Sequence, residues 1–145
     1  NSGYVEKALR YLHALQLMVL IIRPAALAAA ARFTREELDE LTDRFTSPGS
    51  VYLADIQEAV LKHTTLEPLY VILSETNHLL EWGHHFAYYP SKRHTLSHLN
   101  KKAITALRQL YEGNASSFAD GMADCYRYIL ICMKKTWWKN ISFIT

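Results

Sequence analysis

Glycine and proline are scarce, with five and four in 145 residues. A sandwich or barrel of short strands needs turn residues at intervals of about 8–12 positions, and this chain cannot supply them. No stretch longer than about four residues alternates apolar and polar in the strand pattern. Long helices are the expected element.

Cysteine is nearly absent. Cys125 and Cys132 are the two in the chain. Seven residues apart on one helix, they are separated by about 10 Å along the axis. That is too far for a disulfide between them. A disulfide-stapled secreted scaffold is excluded, and an intracellular, cytoplasmic home is expected. The triplets Asn114-Ala115-Ser116 and Asn140-Ile141-Ser142 match the glycosylation pattern, but such triplets are common by chance.

Excess charge is missing too. The formal net charge is +2, where a nucleic-acid binder usually shows a strong basic patch. Lys92, Arg93, Lys101 and Lys102 form the best local cluster, joined by Lys134, Lys135 and Lys139. They read as solvated helix faces, so neither nucleic acid nor an anionic membrane is the expected partner. There is no G-x-G-x-x-G, P-loop or G-x-S-x-G. A non-enzymatic protein without a cofactor is therefore the first expectation.

What is present is apolar mass. Half of the residues are hydrophobic, enough for one domain with one core. The expected fold is all-α: a compact bundle of about five to six helices around a central apolar N-terminal helix, spanning residues 1–145 as a single domain. The opening Asn-Ser-Gly in place of Met suggests a domain excised from a larger protein.

The first helix is expected over residues 4–23. Every residue from Leu17 to Ile22 is apolar, and a helix apolar all round is buried in a core, in a membrane or in a partner. Pro24 should kink or stop it, with alanine-rich helix following over residues 25–33. Residues 11–31 approach the roughly 20 needed to cross a bilayer. Gln16, Arg23 and Pro24 interrupt them, so a core helix is the better reading and a membrane span is not expected.

Thr34 and Glu37 form a capping box, with Phe33 and Leu38 as the staple. That short helix should end near Phe45, followed by a loop over residues 46–50. Further helices are expected over residues 51–63, 66–86 and 95–113, capped at Thr64 or Thr65 for the fourth. Gly113 is a natural left-handed stop. Ser116 or Ser117 should cap the last helix, whose core stripe is Phe118, Met122, Cys125, Ile129, Cys132 or Met133, and Trp137.

The strongest chemical pattern is Glu75, His78, Glu81, His84 and His85. It holds two E-x-x-H units, the spacing by which di-iron carboxylate bundles direct ligands at one metal pair. In those bundles the units come from different helices, and here both lie on one. At about 100° per residue from Glu75, the residues His85, His78 and Glu81 fall near 280°, 300° and 240°. Leu66, Leu69, Ile72, Leu73, Leu79, Leu80 and Phe86 fall between about 20° and 180°. The leucine arc should face the core and the polar group water. His94 and His98, four apart, read as a solvated helix start. Cys125 and Cys132 sit on the core stripe, where burial makes a thiol inert.

Aromatic residues are in surplus: nine Tyr, five Phe and three Trp. Trp82 falls near 340°, and Tyr70 and Tyr88 near 220°, on or beside the polar face. Trp137 and Trp138 are adjacent, so they cannot both follow one stripe. Large rings at a surface favour protein interfaces.

The leading expectation is an adaptor- or scaffold-type interaction domain. It would bind an amphipathic helix or peptide segment of a protein partner in a groove, using Tyr70, Trp82, Tyr88, Trp137 and Trp138. The alternative is a metal-binding bundle or metal-dependent enzyme using Glu75, His78, Glu81 and His85. A third reading is an oligomerisation or ligand-sensing domain, with the apolar belt over residues 17–22 as a homo-oligomer contact or as the lining of an apolar cavity.

Overall fold

The computed structural model describes residues 2–45, 52–84 and 92–141, with backbone alone at 2, 4, 82–84, 92, 93 and 136–141. These form six helices: α1 (Ser2–Ala30), α2 (Arg35–Arg44), α3 (Tyr52–Lys62), α4 (Glu67–His84), α5 (Lys92–Tyr111) and α6 (Ala115–Ile141). No strand occurs among the described residues, and the all-α bundle is as expected.

α1 organises the bundle because one face of it is apolar along its whole length. Tyr11, Leu15, Met18, Ile22, Ala26 and Ala29 recur three or four apart and are buried, as one helical face requires. α1 packs against α6, α4 and α3. α6 in turn packs on α5, α5 on α3, and α3 on α4, so five helices close a ring around the core. α2 lies outside the ring against α5.

α6 supplies the other half of the core. Phe118, Met122, Cys125, Ile129 and Met133 are all buried, and each large apolar side chain contributes about 1.5–3 kcal/mol by leaving water. Met133 takes the core position, and Cys132 is half-buried beside it. The Trp137 side chain lies outside the described residues.

The helix directions follow from contacts at one end of the bundle. Arg23 Nε donates to Asp120 Oδ1 at 2.7 Å. The Phe33 ring packs on His63 at 5.0 Å and edge-on to Phe118 at 6.1 Å. The starts of α4 and α6 therefore lie beside the end of α1, and both run antiparallel to it. α5 and α6 join through a turn at Gly113, whose φ of 85° is a left-handed conformation that suits glycine.

Local expectations need correction at five places. Pro24 does not split the first helix, since α1 runs through it. Proline leaves the carbonyl four residues back, on Leu20, without its helical donor. Leu20 and Pro24 are both exposed, so water can take that bond. α4 starts after Leu66, whose carbonyl accepts from Tyr70 N–H at 2.9 Å. The Thr64 hydroxyl caps nothing there and donates back to the Val60 carbonyl at 2.7 Å. α5 begins at Lys92, ahead of Thr95. α6 starts at Ala115, with the Asn114 carbonyl accepting from Phe118 N–H at 3.0 Å, so neither Ser116 nor Ser117 is its cap. Ile72 and Leu79, placed in the core arc of α4, are 45% and 46% exposed, and Leu66 is exposed as well. Among the described side chains of that helix, only Leu73, Thr76 and Leu80 are buried. The angular pattern gives the width of an apolar arc but not how much of it neighbours cover. The loop expected over residues 46–50 lies outside the described residues.

Two core positions give direct tests. Gln57 is fully buried, and neither atom of its amide has a hydrogen-bond partner. An unsatisfied buried amide costs about 1–3 kcal/mol. Gln57→Met keeps the shape and removes the polar atoms, so thermal denaturation should show a Tm several degrees higher. Gly121 marks a close approach of α6 to α5, where an added Cβ would meet Ala106 Cβ at 2.8 Å. The obstacle is fixed to the backbone and cannot swing aside. Gly121→Ala should therefore lower stability by about 1 kcal/mol, after a helix-propensity gain of similar size offsets part of the strain.

Candidate binding groove

α2 is short, and its position is set by latches at both ends. At its start, Thr34 Oγ1 accepts from Glu37 N–H at 3.1 Å, and the Glu37 carboxylate accepts from Thr34 N–H at 3.2 Å. This is the capping box expected from the sequence. The second oxygen of Glu37 lies 2.5 Å from His63 Nε2 at the end of α3, with Lys62 Nζ at 3.9 Å. Burial raises the Glu37 pKa, but the hydrogen bonds from His63 and Thr34 outweigh it and leave the pKa below its ordinary value. At the far end, the Phe45 ring stacks on Tyr52 at 4.4 Å, and the Tyr52 hydroxyl donates to the Phe45 carbonyl. Tyr52 N–H donates to Asn100 Oδ1 on α5 at 3.1 Å.

Held this way, α2 covers only part of α5 and leaves a groove beside it of about 620 Å³. Phe45, Ile104 and Leu107 form its floor. Asp39 and Asp43 line the α2 rim, and Arg108 and Glu112 the α5 rim. Three carboxylates thus face one guanidinium. Tyr111 stands at one end, its hydroxyl donating to Asp39 Oδ1 at 3.1 Å. Arg35 lies over the Tyr111 ring, 4.0 Å from its centre, and donates to the Tyr111 carbonyl at 3.3 Å. The ring is therefore exposed but held in place. A second cleft, between α2 and α3, has charged walls and offers only Leu41 and Ala59 as apolar surface. Apolar anchors fit the α2/α5 groove better, since binding sites pair an apolar floor with a few polar groups.

The aromatic positions expected to form the site do not gather there. Tyr70 is exposed on α4, a helix that does not border the groove. Trp82, Trp137 and Trp138 belong to α4 and α6, but their side chains lie outside the described residues, as does Tyr88 altogether. The groove residues lacked a familiar motif. The signal that could have found them is a second apolar line on α5, where Ile104, Leu107 and Tyr111 recur three and four apart beside the core line of Leu99, Ala103, Ala106 and Leu110.

Glu75, His78 and Glu81 stand exposed on α4. His78 Nδ1 and Glu81 Oε2 are 3.6 Å apart. Among the described residues no group of three or more His, Cys, Asp or Glu converges in a way that could hold a metal ion, and His85 lies outside them. His94 and His98 stack at 6.4 Å in solvent, and His98 rests on Tyr128. Cys125 is fully buried, and desolvation pushes its thiol up to about 12. It stays protonated at neutral pH and makes a poor nucleophile.

Comparison of the chain with known protein families, characterised proteins and solved structures gives no match.

The Glu37 latch predicts an acid-side loss of stability. Because the folded carboxyl titrates below its ordinary value, its contribution is complete above the unfolded value of about 4.3 and fades as pH falls through the folded one. Tm recorded from neutral pH downward should fall in that window, and Glu37→Gln should flatten the fall. Equal acid sensitivity in both proteins would remove Glu37 as its source.

Proposed function

We propose that this chain is a non-catalytic interaction module that seats an amphipathic helix of a protein partner in the α2/α5 groove. One observation carries the reading: an apolar floor of the half-buried Phe45 and Ile104, backed by the buried Leu107, lies between rims dominated by carboxylates. A partner helix would place apolar side chains, spaced three and four apart, on that floor. Lysines or arginines flanking them would meet Asp39, Asp43 and Glu112. The fixed Tyr111 ring adds a large apolar surface whose ordering is already complete, which lowers the entropy cost of binding. The carboxylates would mainly speed encounter and select against acidic partners.

A labelled peptide helix of about five turns, with leucines along one face and flanking lysines, is a direct probe. Fluorescence anisotropy should show saturable binding that weakens with added salt. Replacing the flanking lysines with glutamates should weaken it severalfold. Tyr111→Ala should cost roughly tenfold or more, the scale of an anchor residue. Affinity unchanged in Tyr111→Ala and in Asp43→Lys would defeat this reading.

A further inference from the structure

The net charge of +2 conceals a segregation. None of the 14 Asp and Glu falls between Lys92 and Tyr111 or between Cys125 and Thr145, whereas nine of the 16 Lys and Arg do. Those two segments therefore carry +9 and the rest of the chain −7. The fold lays them side by side, because α5 packs on α6. The His98 ring rests on Tyr128 at 4.8 Å, and Lys102 Nζ lies 5.7 Å from the centre of the same ring. Further along, Ala106 meets Gly121. The pairing is antiparallel, so the start of α5 at Lys92 and Arg93 lies in register with Lys135, about two turns beyond Tyr128.

Between the two helices runs a cleft of about 320 Å³, floored by the Ala106–Gly121 contact and walled by Lys101, Lys102, Thr105, Gln109 and Ser117. The carboxylate that lines it, Asp124, is already paired with Arg127 at 2.9 Å. His98 closes one end. Beyond it His94 is exposed, and the two imidazole rings lie 18° from parallel with centres 6.4 Å apart.

We propose that the α5/α6 cleft and the histidine rings beyond it hold single-stranded nucleic acid without regard to sequence. Proteins hold single strands by a groove of cations that tracks the phosphates, with rings on which bases stack. Here the phosphates follow the cleft past Lys102 and Lys101 toward Lys135, and bases stack on His98 and His94. Thr105, Gln109 and Ser117 offer hydrogen bonds to sugar and phosphate oxygens. From His94 to Gln109 the track is about 22 Å long at 1.5 Å per residue.

Two other polyanions fit less well. A bilayer surface is flat and would touch the rims of the cleft, not Lys102, which is half-buried inside it. It would also find little to bury, since Tyr111 and Ile131 are the large apolar side chains exposed among the described residues of α5 and α6. An acidic protein segment would pair with the lysines but leave the imidazole rings without a use. The α2/α5 groove lies on the other flank of α5, where Ile104, Leu107 and Tyr111 point, so the two readings stand or fall separately.

Fluorescence anisotropy of a labelled oligothymidylate of about 12 nucleotides, within the site sizes of single-strand binders, tests the proposal. Binding to the 145-residue chain should be saturable. Its log K should fall against log salt with a slope of about −2, the release expected for phosphates at Lys101, Lys102 and Lys135. Lys101→Gln with Lys102→Gln should make that slope shallower by about 1.4 and weaken binding roughly tenfold. Lys135→Gln, on the other helix, should act in the same direction, with circular dichroism checking the fold of each variant. His98→Ala should weaken binding about fivefold or more, the scale of one lost stack, while His98→Phe keeps a ring and should bind as the parent does. Tyr111→Ala should leave oligonucleotide binding intact. Absence of binding at low salt overturns the proposal, as does a slope indifferent to both lysine changes or equal affinity in His98→Ala and His98→Phe. Polyglutamate that competes as well as unlabelled oligothymidylate would assign the face to an acidic protein and overturn it too. Flotation with phosphatidylserine vesicles in place of oligonucleotide binding would assign it to a membrane, with the same consequence.

Discussion

Exclusion of water from α1 is the requirement that the other helices meet. Tyr11, Leu15, Met18 and Ile22 must all be covered, and no single neighbour can cover them. α6 and α4 flank the helix, α3 closes the inner side, and α5 completes the ring by bridging α6 and α3. The composition of α1 changes along its length to suit this. Its first two-thirds offers large side chains to the core, while Ala25, Ala26, Ala29 and Ala30 are small and buried. Small side chains let backbones approach, so the end of α1 can sit close to its neighbours, where Phe33, His63 and Phe118 meet.

That meeting point connects the core to the groove. Phe33 packs on His63, His63 reaches Glu37, and Glu37 caps α2. The placement of α2 thus depends on the same end of the bundle where α1, α3 and α6 converge. A helix of 10 residues with two buried leucines would hold its position poorly by packing alone. The latches at Glu37 and Phe45 fix it along α5, and the part of α5 left uncovered becomes the groove. The binding surface is therefore a consequence of how short α2 is and where its two ends are tied.

The helices were legible because their determinants are local. Apolar spacing of three and four, the Thr34–Glu37 box and Gly113 each act within a few residues and place elements without knowledge of the fold. The groove was not legible, because it depends on which two helices become neighbours. Nothing near Asp39 or Ile104 shows that residues so far apart in sequence will share a wall. Surplus aromatic residues drew attention to Trp82 and Trp137, whereas the exposed ring beside the groove, Tyr111, looks in sequence like any helix-terminal tyrosine. The exposure of Ile72 and Leu79 was hidden for the same reason: it is set by the number of helices packed on α4.

The pairing of α1 with α6 also has a consequence for biosynthesis. Everything between Ala30 and Ala115 must be made after α1 before its principal partner exists. At about 5–20 residues per second, that takes roughly 4–17 s of translation. Throughout that interval an uncovered apolar helix would emerge from the ribosome and attract chaperones or other nascent chains. Its core-facing side chains, Tyr11, Leu15, Met18 and Ile22, are thus a hazard early in the life of the protein, and the docking of α6 is the step that ends it.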